Sequence, residues 1–397
     1  MRQVVNFFKD LSLPAFVAGF IAVSVGYISS VAIVFQAADV TGAGSAQVNS
    51  WIGALGIGMG ISTIALSLYY KAPVLTAWST PGAALLATGA TTASLSQLTA
   101  AFMFSAVLII ISGVTGWFEK IMDRIPVSIT AAMLAGILVQ FGLNVFVSMQ
   151  TELIVCLAMF VAYLLMKLAV PMYAVPVALV CGVSVAWLSG LEFNPVAFTL
   201  TRPVFTAPGF DLSVLFSIGI PLYVITMTAQ NIPGIATLRA AGYKTPVSPV
   251  ITTTGITTLL LAPFGCFALN MAAITAAICM GENAGPDPQR RYTASVVAGV
   301  FYLLLGIFAA TVGALLASVP EEIILTIAGL ALLSTIAGSL TTALSEVRHR
   351  EPALITFLMT ASGISLFGIG AAFWGLVFGG FALLLATAGR KQTAGDR

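Results

Sequence analysis

Trp78, Ser79 and Thr80, with Gln230, Asn231, Phe267 and Asn270, are polar or aromatic side chains set in otherwise apolar runs. Polar groups in such runs are costly and usually face a protein interior. Two similar stretches carry most of them: "APVLTAWSTPGAALLATG" from Ala72 and "APFGCFALNMAAITAAIC" from Ala262. Each opens on Ala-Pro, and after six further residues reaches a helix-capping type, Thr80 in one and Asn270 in the other. Pro81 follows Thr80, where proline suits the first helical position. The segments "PVLTAWS" and "PFGCFAL" are too short to span as helices, so each predicts an extended half leading into a half-helix that starts near mid-membrane. Two such half-helices facing each other would aim free N–H groups and the positive ends of their dipoles at one point, a place for an anion.

The candidate contacts follow. Ser79, Thr80, Pro81 and Gly82 belong to the first half-helix, and Asn270, Met271 and Ala272 to the second. Trp78 and Phe267 would flank an apolar or aromatic ligand face. Gln230 and Asn231, in "MTAQNIPGIA", would be polar neighbours, and Tyr27 in the first run another. The plain alternatives are prolines that kink helices, amides that join helices and aromatics that pack.

The rest of the chain has to hold these residues in lipid. Of 397 residues, 59% are hydrophobic and 8% charged, with mean hydropathy +1.05. A bilayer core of ~30 Å takes roughly 20 apolar residues per helix. Apolar runs at 14–36, 47–70, 73–93, 97–117, 125–148, 152–170 and 172–190 are followed by 212–238, 247–262, 263–281, 291–317, 320–344, 352–372 and 373–389. The expectation is an all-α integral membrane protein of about fourteen transmembrane segments. Lys and Arg fall on alternate loops: Arg2 and Lys9, Lys71, Lys120 and Arg124, Lys167, Arg239 and Lys244, Arg290 and Arg291, Arg348 and Arg350, then Arg390. Only Arg202 breaks the alternation, so both termini are expected on the cytoplasmic side.

Every Asp and Glu lies at a run end or in a loop. Glu282 and Asp287, in "MGENAGPDPQRR", are the nearest candidates for proton coupling, or ordinary loop residues. Cys156, Cys181, Cys266 and Cys279 sit unpaired in apolar runs and predict buried thiols. His349 stands alone between runs. No constellation for catalysis, metal, cofactor or nucleic acid is legible.

Pro263 follows Pro73 by 190 residues, and "VPEEIILTIAGLAL" from Val319 echoes "IPVSITAAMLAGIL" from Ile125 at a similar offset. Repeats of this kind mark transporters built from two inverted halves. The reading is seven plus seven segments, with the short extended halves in segments 3 and 10. Its parts are a cytoplasmic N-terminus 1–13, core segments 1–4 at 14–117, gate segments 5–7 at 118–190 and an extracytoplasmic loop 191–211. Core segments 8–11 follow at 212–317, gate segments 12–14 at 318–389 and a cytoplasmic tail at 390–397.

At "PVLTAWSTPGAALL", "MLAGIL", "MTAQNIPGIA", "SPVI", "MAAITAAIC", "AGLALLSTIAGSL" and "GIGAAFWGL" the chain resembles the bacterial benzoate/proton symporter (BenE) family, from about Gly19 to Gly380. That family is distantly similar to nucleobase/ascorbate and SulP-type anion carriers. The resemblance implies a secondary active transporter in the bacterial inner membrane, with a small aromatic carboxylate and a proton as its cargo. It also implies core and gate bundles that alternate access, and a possible homodimer. Nucleobase carriers resemble one another in acids on segments eight and ten; this chain has Gln230 and Asn231 in the corresponding stretch and no acid inside segment ten. The alternatives are a nucleobase or other small-anion carrier and a passive anion channel.

Overall fold

The computed structural model describes residues 7–90, 93–116, 126–190, 198–281, 284–366 and 369–395. Helix α1 (Leu13–Val40) starts where the Ser12 hydroxyl accepts from the Ala15 N–H, with a proline in the first turn. Helix α2 (Ser45–Tyr70) ends at Lys71, whose φ of 52° turns the chain into an extended run. Strand β1 (Thr76–Trp78) and helix α3 (Thr80–Gly89) follow. Helix α4 (Leu95–Thr115) opens on a capping box between Ser94 and Gln97. Then come α5 (Val127–Val147), α6 (Leu153–Ala169) and α7 (Ala174–Leu188).

Helix α8 (Leu212–Arg239) is interrupted by π-helical turns at Leu215–Gly219 and Thr226–Asn231. Each turn lies just ahead of a proline, Pro221 and Pro233, which lacks the N–H of a regular α ladder. Helix α9 (Val247–Leu261), strand β2 (Leu269–Met271) and the seven-residue α10 (Ile274–Met280) follow. Helices α11 (Tyr292–Ile307) and α12 (Ala309–Ala317) meet at a 69° bend. The chain continues through α13 (Glu321–Ser345), α14 (Arg350–Ala361), β3 (Ser365–Leu366), β4 (Ile369–Gly370) and α15 (Ala371–Gly395).

Among the described residues, seven helices are long and apolar enough to cross a membrane, or eight if the bent pair is one span. The protein is a mostly helical membrane protein whose only strands among the described residues are two short pairs. Two expected runs are divided: 291–317 at the bend between α11 and α12, and 352–372, which is helical only to Ala361. Gly363, at φ +64°, ends it, and the β3–β4 ladder precedes α15.

Strands β1 and β2 pair antiparallel, Thr76 with Met271, Ala77 with Asn270 and Trp78 with Leu269. Extended backbone away from water must find internal partners, and a two-stranded ladder of three residue pairs leaves some groups over. Helix α2 supplies Thr63 Oγ1 to the Thr76 N–H (3.0 Å), and Ser67, whose hydroxyl donates to the Val74 carbonyl (2.9 Å). On the other side the Leu269 N–H donates to Thr258 Oγ1 on α9, and the Met271 N–H to Asn231 Oδ1 on α8, both at 3.0 Å. Gly265 makes the turn into β2 at φ +98°, and a Cβ there would run into the Trp51 indole. Gly234 lets α8 approach β2, since its Cβ would lie 2.6 Å from that of Met271.

Helix α2 packs along α11, α4 along α9, and α1 against α3 and α11; α5 packs along α13 and α14, α6 against α7, and α14 along α15. Residues 198–211 run as an extended strap. Its Thr201, Thr206 and Gly209 N–H groups donate to the carbonyls of Ile307, Pro263 and Ser96, and that of Val204 to Ser50 Oγ. At the opposite ends of these helices Lys71 Nζ donates to Tyr292 Oη, which donates to Asp10 Oδ2, each at 2.7 Å.

Candidate functional site

Where β1 and β2 end, α3 and α10 begin, and between them lies a cavity of about 300 Å³. That is the lower end of the roughly 300–1,000 Å³ usual for small-molecule sites. Helix α1 contributes Tyr27 and Ser30, β1 and α3 contribute Trp78, Thr80 and Pro81, and α8 contributes Gln230. Ala272, Ala273 and Thr275 come from the start of α10, Tyr302 from α11, and Leu332 and Thr335 from α13. Among the described lining residues there is no Asp, Glu, Lys, Arg or His.

The aromatic wall is fixed from behind. Trp78 Nε1 donates to Ser30 Oγ (2.9 Å), which in turn donates to the Gly26 carbonyl (2.7 Å). The Tyr27 ring lies 5.1 Å from the indole at 52°. Tyr27 is 5% exposed, yet its hydroxyl has no hydrogen-bond partner among the described residues. A buried polar group without a partner is rare in a native structure and asks for an explanation.

Tyr27, Trp78, Thr80, Pro81, Gln230 and Ala272 thus come together around one cavity. The other expected residues lie behind it. Ser79, not Thr80, caps α3: its hydroxyl accepts from the Gly82 N–H at 3.1 Å, and its carbonyl from Ala83. Pro81 therefore stands at the second helical position and has no N–H to offer. The donors expected at Thr80–Gly82 are largely spent within α3 itself.

Asn270 is no cap either. It lies fully buried in β2, four residues before α10, and in the amide orientation that satisfies its neighbours it accepts from the Ser79 N–H and donates to the Met271 carbonyl. Asn231 and Met271 are joined in the same backing layer. The Ala272 N–H is taken by the Leu75 carbonyl at 2.9 Å. Phe267 lies two residues before the ladder and packs among Trp51 and Phe102, with centroids 6.4 and 6.2 Å away. The ladder explains the shift: it sets Trp78 opposite Leu269, which leaves Phe267 behind the strand.

The residues that sequence reasoning missed are Met59, Thr275, Tyr302 and Thr335. Thr275 and Thr335 carried a readable signal, a hydroxyl alone in an apolar run. Tyr302 carried none beyond its type.

From this cavity a second, also of about 300 Å³, continues between α5, α8 and α13, sharing Ala229 and Thr335. Its walls carry Thr130, Thr228, Ser339 and Thr342, and it runs toward the start of α5 and the end of α13. At that end His349 Nδ1 faces Ser128 Oγ (3.2 Å) and the Glu346 carboxylate, joining the α13–α14 turn to α5.

Asp287 lies at the surface, 3.3 Å from the Arg290 guanidinium, with no part in either cavity. Glu282 lies outside the described residues. Arg291 anchors the far end of α10, with Nη1 donating to the Met280 carbonyl (2.8 Å) and Nε to that of Gly285 (2.7 Å). A cation suits the negative end of a helix dipole. Nearby, Tyr243 donates to the Pro288 carbonyl, and burial raises its phenol above the usual range, partly offset by Arg291. Cys156, Cys266 and Cys279 are buried and Cys181 half-buried.

Comparison with known proteins gives a family profile described as benzoate membrane transport protein, which matches residues 9–385. The inner membrane protein YdcO of Escherichia coli is 47% identical over 368 residues, 92% of this chain and 94% of that one. The benzoate membrane transport protein of Acinetobacter baylyi is 39% identical over 379 residues, 95% and 96% of the two chains. Among solved structures, the transmembrane domain of a cyanobacterial bicarbonate transporter, BicA, aligns with TM-score 0.60 at 14% identity, over 96% of this chain and 98% of that one. SLC26A9 aligns with TM-score 0.62 at 11% identity, over 96% of this chain and 66% of that one. At such identities the likeness is one of fold.

Proposed function

The chain belongs to the benzoate membrane transport protein family, and from that premise we propose that it carries benzoate or a related small aromatic carboxylate across the bacterial inner membrane together with a proton. It is a membrane transporter, not an enzyme. The observation that carries the substrate reading is the central cavity: small, walled by Trp78 and Tyr27, and holding a buried hydroxyl without a partner among the described residues. An aromatic ring packs against the indole, and the carboxyl group takes the Tyr27 hydroxyl.

The finer architecture belongs to the same proposal. The fourteen segments form two inverted halves, with β1–α3 and β2–α10 as the equivalent broken segments. Segments 1–4 and 8–11 make a core and segments 5–7 and 12–14 a gate. The packing partners support it: α1, α2 and α4 pack against α9 or α11, whereas α5, α6 and α7 pack against α13, which α1 also touches. Both termini lie on the cytoplasmic side, and core moves against gate to expose the cavity alternately. A homodimer is compatible with this arrangement.

The test is uptake of labelled benzoate by purified protein in proteoliposomes, scored as the saturable component above protein-free liposomes. An inward proton gradient should drive accumulation, and Trp78→Ala should abolish it. Uptake of uracil in place of benzoate would favour the nucleobase reading, and equal flux with the gradient collapsed would favour a passive channel.

A further inference from the structure

Resting on the benzoate-class reading, we infer that the substrate's own carboxyl group is the proton carrier, so that the species crossing between the two sides is the undissociated acid. The observation is the electrostatic poverty of the path. The central cavity and the passage that continues it are lined among the described residues by hydroxyls, one amide and apolar groups. Among the described residues, Tyr27 on α1 and Tyr302 on α11 are the titratable side chains facing it; α2, β1, α3, α5, α8, α10 and α13 present none there.

An anion in such a place lacks a cation, and at α3 and the end of β2 it also lacks most of the donors expected there. At α3, Gly82 and Ala83 donate to Ser79 and Pro81 has no N–H; at β2, Ala272 donates to Leu75. Burying an unpaired carboxylate is expensive, and the group neutralises instead. A carboxyl that ionises near pH 4 in water is shifted upward by as much as roughly 3–5 units when fully desolvated, which brings protonation within reach at near-neutral pH. Once protonated, the group is both donor and acceptor, suited to the Tyr27 hydroxyl and to neighbours such as Thr275 and Gln230.

The step balances simply. On the proton-rich side the carboxylate takes one proton and enters as the acid; on the other side the acid leaves, water solvates the group, and the proton is released with the carboxylate. One proton moves per substrate and no net charge crosses. Asp287 has no place in this scheme, since it is paired with Arg290 at the surface.

A series of ring-substituted benzoates with different solution pKa values tests it in proteoliposomes, again as the saturable, protein-dependent component. The expected result is an apparent KM that rises about tenfold per pH unit above a midpoint, with the midpoint shifting from one substrate to the next in step with its own pKa. Benzenesulfonate, anionic throughout, should not be accumulated, and transport should produce no electrogenic current. Glu282→Gln and Asp287→Asn should keep the coupling. A midpoint common to all substrates, sulfonate accumulation driven by the pH gradient, or coupling lost in either carboxylate variant would overturn the inference while leaving the substrate reading standing. Absence of saturable uptake of every benzoate would overturn the substrate reading, and this inference with it.

Discussion

The Tyr27 hydroxyl and the Trp78 indole illustrate two ways in which a buried polar aromatic can be accounted for. Trp78 is satisfied inside the protein by Ser30, so its role is shape: its ring face is held toward the cavity. Tyr27 is satisfied by nothing described, so its hydroxyl is available to a ligand. Tyr27→Phe should therefore raise the dissociation constant for benzoate about two- to tenfold, the worth of one neutral hydrogen bond. The melting temperature should not fall, because the change removes an orphan rather than a bond. Titration of detergent-solubilised protein with benzoate, beside a thermal scan, checks both; a lower melting temperature with unchanged affinity would make Tyr27 a packing residue. Residue types in apolar runs made Trp78, Thr80, Gln230 and Tyr27 legible from the sequence. Which side chain faces the ligand and which braces the wall was not legible, because Asn270 and Asn231 have the same chemistry as Gln230 and differ only in the strand edge they meet.

Broken segments are stable in lipid only if other elements complete their hydrogen bonding, and here each strand borrows from a neighbouring helix. The Leu269 N–H depends on Thr258 Oγ1, fully buried on α9. Thr258→Val keeps the volume and removes the acceptor, so it should cost about 1–3 kcal/mol, the desolvation penalty of one stranded buried donor. Thr258→Ser keeps the acceptor and should retain most of that stability. Chemical denaturation in detergent distinguishes them; equal losses in both would point to packing of the methyl group instead. The Ala-Pro openings announced the two breaks, and the structure has a strand and a helix at each. The cap positions were misread by one residue at α3 and by three at α10. A capping side chain looks alike whether it caps a helix or bridges a ladder, and only the pairing of β1 with β2 decides it. The β3–β4 ladder was missed for a similar reason, since four residues of strand leave no periodicity to read.

At the scale of the whole molecule, the two cavities that share Ala229 and Thr335 describe a path with a direction. It leads from the half-helix junction toward the end of the protein where α5 begins and α13 finishes. In the proposed orientation, with the Lys- and Arg-bearing alternate loops on the cytoplasmic side, that end faces the cytoplasm and the path opens inward. Toward the other end of α5, Gln140 and Asn144 line a separate cavity that shares no lining residue with the central one. Cysteine labelling reads this directly. In a Cys181→Ser background, whose remaining thiols are buried, Ser339→Cys should react with a membrane-impermeant maleimide in inside-out vesicles and not in right-side-out ones. Asn144→Cys should show the reverse. Benzoate bound in the central cavity should slow labelling of Ser339→Cys by occupying the route above it, and should leave Asn144→Cys less affected. Reaction of Ser339→Cys from the periplasmic side would invert the assigned orientation. Equal reaction from both sides would replace a carrier, in which one gate is always shut, with a continuous pore.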